Sequence, residues 1–399
     1  MRHRLLFYSH DTFGLGHFRR SLTVASHIAR RVDDVTALML TGLDSAASFE
    51  APHGVDFVKL PGVWKSGDDQ YSSRHLRVSF SRVQRLREQL VRSVARAFHP
   101  SMFLVDNAPL GVHNDLLPTL RYFKKRQPGT RVVLTLRDVL DDPGSIVASW
   151  KKNGVYEALE DYYDEIWVAG CREVFDPVSL YEFSPAVAKR TRFCGYVARK
   201  PRQEETSDIV EEFSLEQRPF VVVSCGGGGD GIALVDSWIE AGRRLASDGI
   251  RSVVFLGPDM PAAGRRELRR RMLACGDDFL VFDYRPDLVC FLGLAAASVS
   301  MAGYNTVCEL LSLDVPSVLV PRVEPRVEQL LRARAFEKSG VVEVVEPHQL
   351  GPDSLEAAVR RCLQARASGQ AGGLPEGVDF SGLRRMERQV RRHLQRKNN

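Results

Sequence analysis

Two glycine clusters, each set between a short apolar run and a helical pattern, constrain this chain more than any other feature. Gly14 and Gly16 follow the run Leu5–Tyr8 and precede residues 19–31, where Leu22, Ala25, Ile28 and Ala29 share one helical face. Gly226, Gly227, Gly228 and Gly229 follow Phe220–Ser224 and precede a helical pattern over 232–246. Glycine lets a backbone turn tightly and lets a neighbour approach it closely. An apolar run, a glycine turn and a helix together open a unit of parallel sheet.

The pattern continues after each cluster. Val35–Leu40, Phe57–Lys59, Met102–Val105, Val132–Leu136 and Ile166–Ala169 read as strands, with helices near 82–96, 113–125 and 155–163. A second cycle has strands at Ser252–Leu256, Leu280–Phe282, Ser298–Ser300, Ser317–Val320 and Val341–Val345. Alternation of this kind predicts α/β structure, with parallel sheets covered on both faces. The 399 residues suit two such domains. The expected division is an N-terminal domain over 1–198, a polar linker over 199–218, a second domain over 219–370 and a basic tail or helix over 371–399. Ligands of such sheets bind beyond the carboxyl ends of the strands, and a cleft between two domains adds a second wall.

Three segments carry chemistry. In the first, Gly14-Leu15-Gly16-His17 ends a strand and starts a helix. A neutral imidazole at His17 can take a proton from a hydroxyl. His10 and Asp11 are close enough in sequence to serve instead or to orient it. The pattern stops short of G-x-G-x-x-G, because Arg19 stands at the last position. In the second, Gly226–Gly229 precede a helix start, and backbone N–H groups there suit a phosphate. The four glycines have no packing role in this reading. The segment lacks Gly-Lys-Ser/Thr, which argues against a nucleotide-hydrolysing P-loop.

The third segment, Ser300 to Gly340, is the most informative. Gly303 opens a helix whose first turn holds Tyr304, Asn305 and Thr306, with Glu309 one turn on. The helix start can hold a diphosphate, and Glu309 can accept hydrogen bonds from two ribose hydroxyls. Arg322 and Arg326 can neutralise phosphate or a charged sugar, and Gln329 follows at Glu328-Gln329. Asp138, Asp141 and Asp142 follow the strand Val132–Leu136 and offer either a base or loop caps.

Gly303-Tyr304-Asn305-Thr306 with Glu309 resembles the Gly-Trp-Asn-Ser…Glu core of UDP-glycosyltransferases. The spacing from Pro321 through Gln329 to Glu337-Lys338-Ser339-Gly340 is similar to the family 28 enzymes that add N-acetylglucosamine to lipid I in peptidoglycan synthesis. Gly14–His17 resembles the N-terminal glycine loop of that family. Leu136-Arg137-Asp138 and Pro321-Arg322 recur in related predicted bacterial glycosyltransferases. The resemblance implies the GT-B fold, two Rossmann-like doubly wound domains facing a cleft. It also implies an inverting, metal-independent transfer with no cofactor, the nucleotide-sugar being a substrate, most simply a UDP-sugar. Gly16, Gly226, Gly227, Gly228, Gly303, Tyr304, Asn305, Thr306, Glu309, Arg322 and Gln329 would bind the donor; His17 and Asp138 would be the catalytic residues. Met301-Ala302 stand where the UDP-glycosyltransferase signature begins with His-Cys, and Arg326 stands where an Asp would fall. A nucleotide-sugar 2-epimerase and a non-catalytic sugar-nucleotide-binding subunit share the fold and remain the alternatives.

Charge is uneven. The net +5 comprises +6 over residues 74–96, +6 over 380–399 and −7 elsewhere. In 82–96 the apolar positions Val83, Leu86, Leu90 and Val94 follow helical spacing, with arginines on the other faces. Residues 57–80 read as an acceptor loop with Leu60, Val63, Trp64 and Tyr71. Two basic stretches suit anionic lipid, nucleic acid or a phosphorylated substrate, or they are solvated helix faces. The resemblance implies a glycan, lipid-linked or small-molecule acceptor, with peripheral contact at an anionic membrane. The C-terminal stripe Leu383, Met386, Val390, Leu394 predicts a helix packed on the body. No nucleic-acid motif accompanies the arginines. Seven cysteines without a metal or paired spacing suit the reducing cytoplasm, and no apolar run is long enough to cross a membrane.

Overall fold

The computed structural model describes residues 3–10, 15–67, 70–369 and 373–395. The chain forms two units, one of residues up to Val197 together with the segment from Ser381, the other Ala198–Phe380. In chain order the first stretch runs β1 (His3–Tyr8), α1 (Gly16–Arg31), β2 (Val35–Thr41), β3 (Val55–Lys59), β4 (Val63–Gly67), β5 (Gln70–Ser73), α2 (Phe80–Phe98), β6 (Met102–Asp106), α3 (Leu117–Arg126) and β7 (Arg131–Arg137). It continues with α4 (Pro143–Lys152), α5 (Val155–Tyr162), β8 (Glu165–Ala169), α6 (Pro177–Leu180), α7 (Pro185–Arg190) and β9 (Thr191–Phe193). The second unit holds α8 (Gln203–Phe213), β10 (Phe220–Ser224), α9 (Ile232–Ala246), β11 (Arg251–Phe255), α10 (Ala262–Leu273), β12 (Phe279–Phe282), α11 (Leu288–Leu294) and β13 (Ala297–Ser300). It ends with α12 (Tyr304–Ser312), β14 (Ser317–Leu319), α13 (Glu328–Glu337), β15 (Val342–Val344) and α14 (Pro352–Ala367), before α15 (Gly382–Gln395).

The first unit is built on a seven-stranded sheet in the order β3-β2-β1-β6-β7-β8-β9, and every pairing in it is parallel. Its core joins Leu6, Phe103, Val105, Leu134 and Val168 from the strands to Val91, Leu120 and Leu159 from the helices. The second unit has six parallel strands in the order β12-β11-β10-β13-β14-β15, with Val221, Val223, Val254 and Val299 packed on Leu234, Trp238 and Val359. Central strands buried on both faces require such unbroken β-branched runs. Each sheet has one place where the strand order reverses, between β1 and β6 and between β10 and β13. Those are the topological switch points at which loops diverge and leave a crevice.

Several features depart from the sequence reading, among them the edge strand β9, which it did not contain. The polar stretch read as a linker contains α8, whose only fully buried residue is Ile209, too sparse a stripe to register as a helix. The stripe on α2 is rotated: Val83, Arg87, Val91 and Ala95 are buried, while Leu86 is exposed. An arginine therefore stands in the buried face. The C-terminal helix that the apolar stripe predicted is present as α15, and it packs on α1 of the first unit. Met386, Val390 and Leu394 are buried there, and Gly382 N–H donates to the Tyr196 carbonyl at 3.1 Å. His27 and Glu387 meet at 2.9 Å, and His393 lies 3.3 Å from Glu165.

Candidate functional site

The first switch point assembles a histidine–carboxylate pair. Gly16 and His17 form the first turn of α1, just beyond the end of β1. Asp106 is the last residue of β6, the strand beside β1 across the order reversal. His17 Nδ1 lies 2.6 Å from Asp106 Oδ2, and Arg20, one turn along α1, donates to Asp106 Oδ1. The His10 ring meets the His17 ring edge-on, with centroids 5.9 Å apart. Gly14 and Asp11 lie outside the described residues.

Electrostatics set the roles. Asp106 is 3% exposed. Burial pushes its carboxyl upward, but the charges of Arg20 and His17 and their hydrogen bonds outweigh burial and hold it well below the ordinary carboxylate range. Burial is also the largest influence on His17 and pulls its imidazole below the usual 6.5, against the opposing attraction of Asp106. His17 is thus neutral at pH 7. Its Nδ1–H donates to Asp106, which fixes the tautomer and leaves the Nε2 lone pair as the basic atom. The side chain is 15% exposed, so the ring is not sealed off.

Asp138 is placed differently. It follows β7 but is fully buried. Its carboxylate accepts from Val139 N–H at 2.7 Å and from the Tyr196 hydroxyl at 3.3 Å. It shapes the loop between β7 and α4, where Asp142 caps α4 by accepting from Ser145 N–H. The acid beside His17 is Asp106, which the sequence reading missed by ending the strand at Val105. A carboxylate closing a strand buried on both faces has no surface role, and that was the available signal.

The second switch point gathers the residues read as a donor site. Ser224 and Ser300, at the ends of β10 and β13, are in register, so the glycine loop and the start of α12 leave adjacent strands. Gly226 has φ +61 and open space where a Cβ would stand. Gly228 does have a packing role, contrary to expectation: at φ +90, a Cβ there would come within 2.3 Å of the Leu256 carbonyl oxygen. Gly227 accepts from Asp259 N–H at 2.7 Å, so the glycine loop is seated on the turn after β11. Gly303 caps α12, with open space at its Cβ position; Tyr304 beneath it is buried, while Asn305 and Thr306 are partly exposed.

Arg332, missed in the sequence, is fully buried. It donates to the Ala302 carbonyl at 3.1 Å and lies over the Tyr304 ring at 5.7 Å, bracing the loop that starts α12. Glu309 is 4% exposed, and its Oε1 accepts from Arg199 Nε at 2.6 Å. Arg322 links two segments far apart in sequence: Asp230, next to the glycine loop, at 3.2 Å, and Glu328 at 2.6 Å. Gln329 Oε1 accepts from the Arg322 backbone N–H at 3.2 Å. The glycine loop, the α12 start and the 322–329 loop are thereby joined. Among the described residues, no group of three or more His, Cys, Asp or Glu side chains could hold a metal ion, and no helix is long and apolar enough to cross a membrane.

Comparison with known proteins bears on the fold and on the second unit. Residues 259–372 match the glycosyltransferase family 28 C-terminal domain. Over 86 residues the chain is 42% identical to a Geobacillus kaustophilus UDP-N-acetylglucosamine–N-acetylmuramyl-(pentapeptide) pyrophosphoryl-undecaprenol N-acetylglucosamine transferase, which is 21% of this chain and 24% of that protein. The match thus spans about a quarter of that relative. Among solved structures, the calicheamicin glycosyltransferase CalG4 aligns over 99% of both chains with a TM-score of 0.61 and 18% identity. A putative UDP-N-acetylglucosamine 2-epimerase from Listeria monocytogenes aligns over 99% of this chain and 97% of its own, with a TM-score of 0.63 and 9% identity. Residues 259–372 are thus similar to the C-terminal domain of glycosyltransferase family 28, and the chain has the two-Rossmann GT-B fold of these solved structures.

Proposed function

We propose that this chain is a glycosyltransferase that moves a sugar from a UDP-sugar to a lipid-linked or glycan acceptor, with inversion and without a metal or cofactor. The observation that carries the reading is the pair His17–Asp106 at 2.6 Å, a buried carboxylate behind a neutral imidazole. In this reading His17 Nε2 takes the proton from the acceptor hydroxyl as its oxygen bonds to the sugar's anomeric carbon. The bond from that carbon to the diphosphate breaks on the opposite face, which inverts the centre. Asp106 stabilises the imidazolium that forms, as a buried carboxylate does for a catalytic histidine. Asp138 supports the loop after β7 and touches no substrate.

The departing UDP carries its charge to backbone N–H groups of Gly226–Gly228 and of Gly303–Thr306, where the α12 dipole favours an anion. Glu309 accepts from the ribose hydroxyls, and Gln329 and Arg322 meet the sugar. Backbone groups that need no counter-ion make the metal dispensable. The relative's printed name suggests a muramyl-pentapeptide on undecaprenyl diphosphate as one acceptor to try. Work beside an anionic membrane, on the cytoplasmic side, fits the exposed Trp64, Leu76, Val78 and Leu86, interspersed with Arg74, Arg77, Arg82 and Arg85. Nucleic acid has no place in this scheme.

The test is UDP release from UDP-N-acetylglucosamine with and without that acceptor, together with analysis of the sugar product. Acceptor-dependent UDP release with a new glycosidic bond is expected. A free or epimerised sugar formed without acceptor would establish the epimerase alternative instead. Failure of calorimetry to detect binding of UDP or any UDP-sugar would remove both.

A further inference from the structure

A buried charge device starts at Tyr8, the last residue of β1, paired with Val105 just before Asp106, and takes no part in the chemistry above. Tyr8, Arg87 and Asp115 are each almost wholly buried. Arg87 Nε donates to Asp115 Oδ2 at 2.7 Å, its Nη2 to the Tyr8 hydroxyl at 3.0 Å, and its Nη1 to the Pro61 carbonyl at 2.8 Å. The Tyr8 hydroxyl donates to Asp115 Oδ1 at 2.9 Å. Asp115 Oδ1 and the Tyr8 hydroxyl both face the Val112 N–H, at 2.9 and 3.1 Å. A buried ion pair is weak evidence for stability, since removing two charges from water offsets their attraction. Its use must be sought in what it holds.

What it holds is the segment that follows Asp106. Among the described residues, eight non-glycine residues have positive φ, and three of them, Asn107, His113 and Asn114, fall here; Gly111 has φ +73. A Cβ at Gly111 would come within 2.1 Å of Asp115 Oδ1, so the device and the glycine require each other. The Tyr163 hydroxyl grips the Pro109 carbonyl from below. Backbone strain persists only where its surroundings over-determine it, and it concentrates where ligands are held. The tip of the segment is exposed at His113 and Asn114, and the His113 ring stands edge-on to Phe80 at 5.4 Å, with Phe80 stacked on Tyr71 at 5.6 Å.

We propose that Tyr8, Arg87 and Asp115 are positioning residues that fix residues 107–114 as an acceptor-recognition loop beside the catalytic pair. The loop starts at Asp106 and ends in a small aromatic shelf of Tyr71, Phe80 and His113. That shelf suits the ring face of a saccharide acceptor, whose hydroxyl must reach His17. This rests on the transferase reading. The device acts on acceptor binding and not on Glu309, the glycine loop at 226–229 or the start of α12, which belong to the other unit.

The decisive variant is the double substitution Arg87→Met with Asp115→Leu, which removes both charges together and leaves no unpaired ion. Tyr8→Phe accompanies it, deleting one hydroxyl and keeping the ring. Both should fold, with wild-type circular dichroism and unchanged calorimetric affinity for UDP. Amide hydrogen exchange at 107–116 should quicken at least tenfold, with the second unit unchanged. Wherever wild type transfers sugar to undecaprenyl-diphosphate-linked muramyl-pentapeptide, the acceptor KM should rise at least tenfold, with donor KM and the acid limb of the pH profile unmoved. A folded double variant with wild-type acceptor KM overturns the proposal, as does equal loss in donor and acceptor terms. If wild type transfers nothing to any acceptor, the transferase reading has failed. Hydrogen exchange still decides whether the device fixes the loop: unchanged exchange in the double variant overturns it.

Discussion

The two switch points share a topology and differ in what fills it. In the second unit the site is mostly backbone: a glycine loop, a helix start and a capping glycine, all within a few residues of a strand end. In the first unit it is mostly side chains, and the partners come from distant parts of the chain. His17 and Asp106 are 89 residues apart, and Tyr8 and Asp115 are 107 apart. A parallel sheet supplies the same crevice in both places, and only the loops decide whether it holds an anion or moves a proton. The comparison therefore predicts separable failures.

The largest separation should come from His17→Ala. Loss of a positioned general base lowers kcat by ~10²–10⁴-fold. UDP affinity, measured by calorimetry, should stay within about twofold, because Glu309, the glycine loop at 226–229 and the start of α12 lie in the other unit. A parallel loss of UDP affinity would end the division of labour. Glu309→Ala should do the reverse. Deleting a charged acceptor of ribose hydroxyls costs ~1.5–3 kcal/mol, or roughly tenfold to a hundredfold in UDP affinity. A thermal-shift titration with UDP reads this directly, and an unchanged midpoint shift would mean that Glu309 serves only Arg199.

A smaller effect should distinguish two neighbouring glycines. Gly228→Ala places a Cβ against the Leu256 carbonyl, whereas Gly226→Ala enters open space, and both carry positive φ. The left-handed penalty of ~1–2 kcal/mol applies to each. Only Gly228→Ala adds displacement of the turn after β11, so its denaturation midpoint should fall further. Equal midpoints would show that the loop is not seated there.

The mildest effect concerns pH. His17 is held below 6.5, and only its neutral form accepts a proton. Activity should therefore persist to mildly acidic pH and fall below it, and Asp106→Asn should abolish that profile along with the tautomer. Stability follows the carboxylates. Asp106 is depressed in the folded state, and Glu165, raised by burial but pulled down more by His393 and Trp167, lies at about 2. The unfolded chain binds more protons as pH falls through ~4, so their contribution is present above that pH and lost below it. Urea melts between pH 3 and pH 7 would show the first unit weakening on the acid side; no slope there would contradict the depressed values.

The same contrast explains what could be read from the sequence. The central strands of both sheets were legible because doubly buried parallel strands are continuous apolar runs, and β10 was found with its bounds intact, whereas the three-residue edge strand β9 was not. The residues from Gly303 to Gln329 could be grouped in the sequence because they sit close together in one stretch. Asp106 was not, because nothing within a few residues of it names His17 as its partner. Arg87 was misplaced for a related reason: helical periodicity assigns arginine to water, and only Asp115 and Tyr8, brought in by the fold, make burial tolerable. The α8 segment was hidden by its single buried side chain.

The return of α15 to the first unit has a consequence for how the chain comes into being. A protein made from its N-terminus exposes residues 1–197 first, then completes 198–380 before Gly382–Gln395 exist. The α1 surface that receives Met386, Val390 and Leu394 stays bare throughout that interval. The second unit, an uninterrupted stretch, can close its core during synthesis, whereas the first is finished only by its final helix. Closure of the first unit thus waits for α15, and a product cut short of Gly382 would carry a closed second unit and a first unit whose α1 face is bare.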